Sequence, residues 1–348
     1  MSLAELTDRE RKVLEAVIRT YVATAQPAGS RQLARRFGLG VSPATIRNTM
    51  SDLEEKGYLF HPHTSAGRVP TDIAYRLYVD SLTRVAAPIA NSDRDLLAEH
   101  LTASGGSTIE TILRRAAQTL SVLTQELGMA VGPRLDQIVL QRLELVRLSS
   151  ERLVLVLSLH GGAVRTIFVE VGEQIADNAL AEVSVVLNER LAGLTLSEIR
   201  SSLAARLRDA KSIVGGHELL NIFVQERESI FDDPLKRDES LVLGQTSVLA
   251  EQPEFASSDK MRRLLTLTES NEHLTEILRR RHVSPGVSIT IGNEHGDPRF
   301  ENFTIVTSEY RAGSLAGVIG VIGPTRMPYE KVIAVVTHAS RLVSDLLD

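Results

Sequence analysis

Apolar positions near the start of the chain fall on one stripe. Val13, Leu14, Val17, Ile18, Tyr21 and Val22 recur at i, i+1, i+4, i+5, i+8 and i+9, the spacing of an amphipathic helix. Thr7-Asp8-Arg9-Glu10 just ahead has the form of a capping box, in which a hydroxyl and a carboxylate satisfy first-turn amides, so the helix is expected from there to about Thr24. Pro27 and Gly29 break it. Ser30 is read as the cap of a short second helix with Leu33, Ala34 and Phe37 inward and Arg31, Arg35 and Arg36 outward, closed by Gly38. Ser42-Pro43 then supplies an N-cap and a first-turn proline for a third helix with Ile46, Met50 and Leu53 inward and Gly57 at its end. Two short helices across a tight turn, behind a longer supporting helix, outline a helix-turn-helix. Tyr58-Leu59-Phe60 is strand-like, and the turn-rich stretch from His61 to Pro70 reads as a wing. Thr71 caps a further helix through Tyr75, Leu77, Tyr78 and Leu82.

Beyond Val85 the composition shifts to Ala, Pro, Ser and Asn, marking a boundary. A helix is expected over 92–103, and a second capping box, Ser107-Thr108-Ile109-Glu110, opens a long amphipathic helix read through Leu127 to Gly128. Runs at 138–148, 152–159 and 163–171, the last two joined by His160-Gly161-Gly162, predict an antiparallel meander. Helical patterns follow at 177–192, 195–210, 217–230 and 258–281; strands are predicted over 286–292, 302–308 and 315–322, and a last helix over 329–347. The fold class is therefore α+β, with several domains.

At 348 residues, with 43% apolar and 24% charged residues, the chain is a folded multidomain protein and not a disordered one. The longest apolar runs fall short of a membrane span and the start lacks the pattern of an export signal, so no membrane partner is expected and the cytoplasm is the expected compartment. With no cysteine, disulfides, thiolate metal sites and thiol nucleophiles are excluded. The net charge of −5 conceals an asymmetry: residues 1–84 hold 12 basic against 9 acidic residues, net +3, and the remainder is net −8. The N-terminal quarter is the part suited to a polyanion.

With Ile46, Met50 and Leu53 inward, the third helix turns Ala44, Asn48 and Ser51 outward, flanked by Thr45 and Arg47. Arg to guanine, Asn to adenine, and Ala or Thr methyls against thymine are natural major-groove contacts, so these five residues are the candidate base readers. Arg31, Arg35, Arg36 and Ser42, with His63, Thr64, Ser65 and Arg68 of the wing, are the candidate phosphate and groove contacts. His61 and His63 have neither Cys nor an acidic residue between them, so no metal site is assigned. The sequence has no phosphate-loop, dinucleotide, zinc-protease or serine-hydrolase motif, and no catalytic residue or cofactor is assigned. Gly313, Gly317, Gly320 and Gly323 are read as a closely packed strand.

The chain resembles the family of heat-inducible transcription repressors, HrcA. In the N-terminal region the resemblance rests on Gly29-Ser30-Arg31, Ser42-Pro43-Ala44-Thr45-Ile46-Arg47-Asn48, His63-Thr64-Ser65-Ala66-Gly67-Arg68 and Tyr75-Arg76-Leu77-Tyr78-Val79-Asp80. Further on it rests on Leu187-Asn188-Glu189-Arg190-Leu191, Glu251-Gln252-Pro253-Glu254-Phe255 and Ile322-Gly323-Pro324-Thr325-Arg326-Met327 with Tyr329. The resemblance implies a homodimeric, non-enzymatic repressor that binds double-stranded DNA at an inverted-repeat operator (CIRCE) upstream of chaperone operons, with the chaperonin GroEL as modulating partner. It further implies a winged helix at 1–84, a GAF-like domain at about 85–172 and 283–348, and an inserted dimerising segment at about 173–282, with the meander at 138–171 open to either of the last two. Val183, Val186 and Leu187 on that segment's first helix are candidate dimer contacts, with core packing as the alternative. Two departures stand out: Thr49 follows Arg47-Asn48 where the family leads one to expect an acidic residue, and Phe60-His61 replaces a more polar pair. Two other classes stay open beside the repressor, a regulator gated by a small ligand in the GAF-like part and an enzyme with a nucleic-acid-binding appendage.

Overall fold

The structure is a computed structural model of the chain, and it describes residues 6–62, 67–83, 88–102, 109–133, 138–160, 164–172, 175–208, 217–231, 241–256, 261–262, 266, 274–275, 277–278, 286–313 and 315–347. It divides into two compact units: Met1–Val131 with Leu241–Tyr310 and Val318–Leu346, and Gly132–Ser240 with Arg311–Gly317 and the last two residues.

The first unit opens with α1 (Asp8–Thr24), α2 (Ser30–Phe37) and α3 (Pro43–Glu55), then the hairpin β1 (Leu59–Phe60) and β2 (Val69–Pro70), then α4 (Asp72–Thr83). The capping box of α1 forms as predicted, with Thr7 and Glu10 each bonded to the other's backbone amide. The cap of α2 is Gly29, not Ser30: glycine takes the extended N-cap conformation without a side-chain bond, and Ser30 is the first helical residue. Gly38 and Gly57 adopt the left-handed conformation that ends α2 and follows α3.

Past α5 (Asn91–Thr102), α6 (Ile109–Thr124) runs into β3 (Leu127–Val131), so residues read as the end of a helix form a strand. With β7 (Leu241–Leu243), β8 (Val287–Ile291), β9 (Phe303–Ala312) and β10 (Leu315–Pro324) it builds a five-stranded sheet in the order β7-β3-β10-β9-β8. The final helix, α12 (Tyr329–Leu347), which follows the short α11 (Ser247–Ala250) in chain order, has the predicted limits. The centre of β9 is buried on both faces: Phe303 and Ile305 meet Leu249, Phe255, Leu274 and Leu278, while Thr304 and Ser308 bond Tyr329 and Ser340 of α12. That double covering explains why these strands read as unbroken apolar runs. Gly320 is a packing glycine of β10, as expected, since a Cβ there would lie 2.1 Å from the Val306 carbonyl oxygen.

The second unit is a three-stranded antiparallel meander, β4 (Leu140–Arg147), β5 (Arg152–Leu159) and β6 (Val164–Glu170), backed by α7 (Asp177–Leu191), α8 (Leu196–Arg206), α9 (His217–Gln225) and α10 (Arg227–Ile230). This corrects the expected domain limits: one apolar core joins Leu143, Leu153, Leu155 and Leu157 of the meander to these helices, so residues 138–171 belong with them and not with the five-stranded sheet. Leu241 onward returns to the first unit. Val183 and Leu187 are fully buried in the same core and Val186 packs against it, so the periodicity that made them dimer candidates serves the chain's own packing.

Gly128 lies where β3 meets α6, and a Cβ there would come within 1.9 Å of the Ala117 backbone oxygen. Gly128→Ala is expected to destabilise the first unit by ~1–3 kcal/mol through overpacking. Urea denaturation reads this directly, and a wild-type midpoint would show that helix and strand do not approach so closely.

Candidate nucleic-acid interface

The candidate recognition face is set by burial on one side of α3. Ile46, Thr49, Met50 and Leu53 are buried, with Leu33 of α2 and Val13, Leu14 and Val17 of α1 buried in the same bundle. Ala44, Arg47 and Asn48 are exposed, and Thr45 and Ser51 are half-buried at the edges of that face. Thr49 turns inward and donates to the Thr45 carbonyl at 3.1 Å, so its departure from the expected acidic residue leaves the outer face untouched. The Ser42 hydroxyl accepts from the Thr45 amide at 3.1 Å and lies 2.9 Å from the Thr45 hydroxyl, which engages both side chains in capping the helix.

The cations divide into two groups. Arg31, Arg35, Arg36 and Arg47 are exposed, and none has an ion-pair partner among the described residues; the Arg36 guanidinium rests 5.6 Å from the Phe37 ring. Arg68 differs: its side chain is 17% exposed and paired with Glu54 at 2.7 Å. Its backbone exchanges two hydrogen bonds with Ala28, adding a third short segment to the β1–β2 hairpin. Gly67 permits this approach, because a Cβ there would sit 2.3 Å from the Ala28 oxygen. Arg68 therefore fastens the base of the wing to α3. The expected wing contacts His63, Thr64 and Ser65 lie outside the described residues. Two cations that pattern reading missed, Arg9 and Lys12, are exposed beside Leu39 and Val41 in the turn before α3. Their flanking of Val13 on the helical wheel was the available signal.

The bundle is fastened to the sheet by charged and polar contacts. Arg326 places its fork on both oxygens of Glu254, at 2.5 and 2.8 Å, and donates to the Val22 carbonyl at 2.7 Å. Arg76 pairs with Glu294 and the Ile289 carbonyl, Asp72 accepts from Asn293, and Arg19 and Tyr78 both reach Glu330. Tyr75 packs on Tyr329 with ring centroids 5.7 Å apart. Behind Arg326, burial holds the Glu126 carboxyl well above the usual carboxylate range, and Gln252 donates to it at 3.0 Å.

A helix-turn-helix followed by a β-hairpin, with Arg47 and Asn48 exposed in the first half of its last helix, defines a winged-helix DNA-binding regulator. The profile of the LexA DNA binding domain matches residues 3–67, and that of the HrcA protein C terminal domain matches residues 110–333. The heat-inducible transcription repressor HrcA of Chlorobium chlorochromatii (strain CaD3) is 38% identical, over 100% of this chain and 99% of that protein. That of Geobacter sulfurreducens is 39% identical, over 99% of each. A crystal structure of a hypothetical protein at 2.2 Å resolution shares the fold, with a TM-score of 0.62, 24% identity and 98% of each chain covered. The chain belongs to the HrcA family of heat-inducible transcription repressors, a non-enzymatic family of regulators. Among the described residues no helix is long and apolar enough to cross a membrane.

Glu10 ties the start of α1 to the end of α3 through Lys56, 2.7 Å away. Hydrogen bonding from Lys56 and then from the Thr7 amide lowers its pKa below 4.5, outweighing the opposing effect of burial. A depressed folded-state pKa stabilises the fold above the unfolded value, and that stabilisation is lost as pH falls through the folded value. Glu10→Gln is therefore expected to lower the unfolding midpoint at pH 7, with the gap to wild type closing as the pH is taken below 4.5. Thermal melts across that range measure it, and a gap independent of pH would contradict the pairing.

Proposed function

We propose that the repressor binds an inverted-repeat operator of the CIRCE type as a two-fold dimer in the cytoplasm, and that the chaperonin GroEL promotes its DNA-binding form. The observation that carries the DNA reading is the outer face of α3, where Arg47 and Asn48 are exposed beside Ala44, with Thr45 and Ser51 at the margins. Arg47 and Asn48 read base edges in the major groove, and the two margin residues and Ala44 supply methyl and hydroxyl contacts. Arg31, Arg35 and Arg36, joined by Arg9 and Lys12, hold phosphates and fix register. Ser42 orients the N-terminus of α3 toward the backbone, and Arg68 sets the pose of a wing whose His63, Thr64 and Ser65 meet the neighbouring groove.

An inverted repeat calls for a dimer whose symmetry matches it. The surface best suited is the outer face of the meander. Its inner face lies on the core, yet Val146, Val164 and Phe168 on the other side are 48%, 66% and 69% exposed, with Val146, Val154 and Phe168 in one cross-strand row. Exposed valine and phenylalanine in one patch favour a second apolar face.

Arg47→Ala is expected to cost ~1–3 kcal/mol at the operator and to narrow the difference from random DNA. Arg35→Ala should weaken both and reduce the salt slope by about one. Fluorescence anisotropy on an inverted repeat and a scrambled duplex, across salt concentrations and with or without the chaperonin, measures all three claims. Unchanged operator affinity in Arg47→Ala would refute the face assignment; an active fraction indifferent to the chaperonin would refute the modulation.

Phe168→Asp is expected to shift the protein toward monomer in sedimentation velocity and to leave the unfolding midpoint near that of wild type. A dimer that survives both Phe168→Asp and Val164→Asp would move the interface elsewhere.

A further inference from the structure

Between Lys56 and Arg76 the sequence has a single lysine or arginine, Arg68, so the wing carries one permanent cation. Its guanidinium meets the Glu54 carboxylate in the last turn of α3 at 2.7 Å, with 17% of the Arg68 side chain and 33% of the Glu54 side chain exposed. The rest of Arg68 is committed too. Its backbone N–H donates to the Ala28 carbonyl and its carbonyl accepts from the Ala28 N–H, each at 2.9 Å, and its Nε is buried with no acceptor. Three segments distant in sequence therefore meet at one residue: the loop before α2, the end of α3 and the base of the hairpin. A paired guanidinium offers a phosphate little net charge. Carrying Arg68 onto DNA would also leave the Glu54 carboxylate half-buried, without its partner and close to a polyanion. Asp52 and Glu55, in the same turn of α3, are exposed, so position and not charge alone singles out Glu54.

We propose that Glu54 is a positioning residue for DNA reading: through Arg68 it withholds the wing's cation from phosphates and pins the wing to α3, so that the wing adds sequence preference and little non-specific affinity. Phosphate contacts hold any duplex, whereas groove contacts discriminate. A wing fixed relative to α3 meets the groove beside the half-site in one register, and a mismatch there is felt. A loose wing with a free arginine holds any sequence through its backbone. The effect on DNA rests on the repressor reading above; the clamp itself does not.

Fluorescence anisotropy of the full-length protein on an inverted repeat and a scrambled duplex, across salt concentrations, compares Glu54→Ala, Arg68→Met and, as a control for the lost carboxylate, Glu55→Ala. Glu54→Ala frees Arg68 and is expected to steepen the salt slope on the scrambled duplex by about one and to narrow the operator preference about tenfold, while Glu55→Ala leaves the slope at the wild-type value. Arg68→Met should narrow the preference as well but leave the slope unchanged, in contrast to the flatter slope of Arg35→Ala. Hydrogen exchange of the DNA-free protein reads the clamp by itself. The amides of Ala28 and Arg68 are expected to exchange about tenfold faster in Glu54→Ala, and that of Ala28 also in Arg68→Met, while α1 keeps its wild-type rates and so shows that both variants fold. A flatter slope in Arg68→Met would make Arg68 a phosphate contact and overturn the proposal. So would a Glu54→Ala protein that matches Glu55→Ala on DNA, or wild-type exchange at Ala28 in both clamp variants. Equal binding of the two duplexes by the wild-type protein would remove the repressor reading, and the slopes on scrambled DNA together with the exchange rates would still decide the clamp.

Discussion

The attachment of α1 to the sheet, made by Arg326, is the contact on which the DNA-reading geometry depends. Its guanidinium holds the Val22 carbonyl near the end of α1 while both Glu254 oxygens hold the guanidinium. A planar fork against a carboxylate fixes direction as well as distance. On its other face α1 buries Val13, Leu14 and Val17 among α2, α3 and α4, so the recognition helix inherits its orientation from α1. Of the remaining ties, Arg76 to Glu294 and Asp72 to Asn293 act on α4, and Glu330 receives Arg19 of α1 together with Tyr78 of α4; these prevent rotation about that first attachment. The family motifs around Tyr75, Glu254 and Arg326 seemed unrelated along the chain because their meaning is this one joint.

The parts of the fold written in local rules were legible from the sequence. The capping box at Thr7, the Ser42-Pro43 start of α3 and the limits of β5 and α12 each follow from a few adjacent residues. Which face of α3 is exposed was equally legible, since a 100° periodicity that buries Ile46, Met50 and Leu53 decides where Arg47 and Asn48 point. Decisions that depend on distant partners were not. Leu127–Val131 is a five-residue run buried on every side, and a short apolar run fits the end of a helix as well as a strand. Val183 and Leu187 carry a stripe whose direction is readable, but nothing local says whether it meets the chain's own meander or another subunit. Arg68 shows its charge in the sequence; Glu54, fourteen positions away, decides what that charge does.

The distribution of cations bears on how such a repressor works. With a net charge of −5 the chain gains little from non-specific attraction to DNA, and the favourable charge lies in a few exposed cations on α1, α2 and α3. One winged helix with so few exposed cations is expected to hold a half-site weakly. In the proposed dimer the second contact would become an intramolecular event, which multiplies the affinity without adding any residue to either interface. On that proposal operator occupancy tracks the population of properly assembled dimer more steeply than any property of a single recognition helix. A protein controlled in this way needs no thermosensor within its DNA-binding unit: a modest loss of assembled dimer suffices to release the operator, and a chaperonin that restores the folded dimer suffices to reset it.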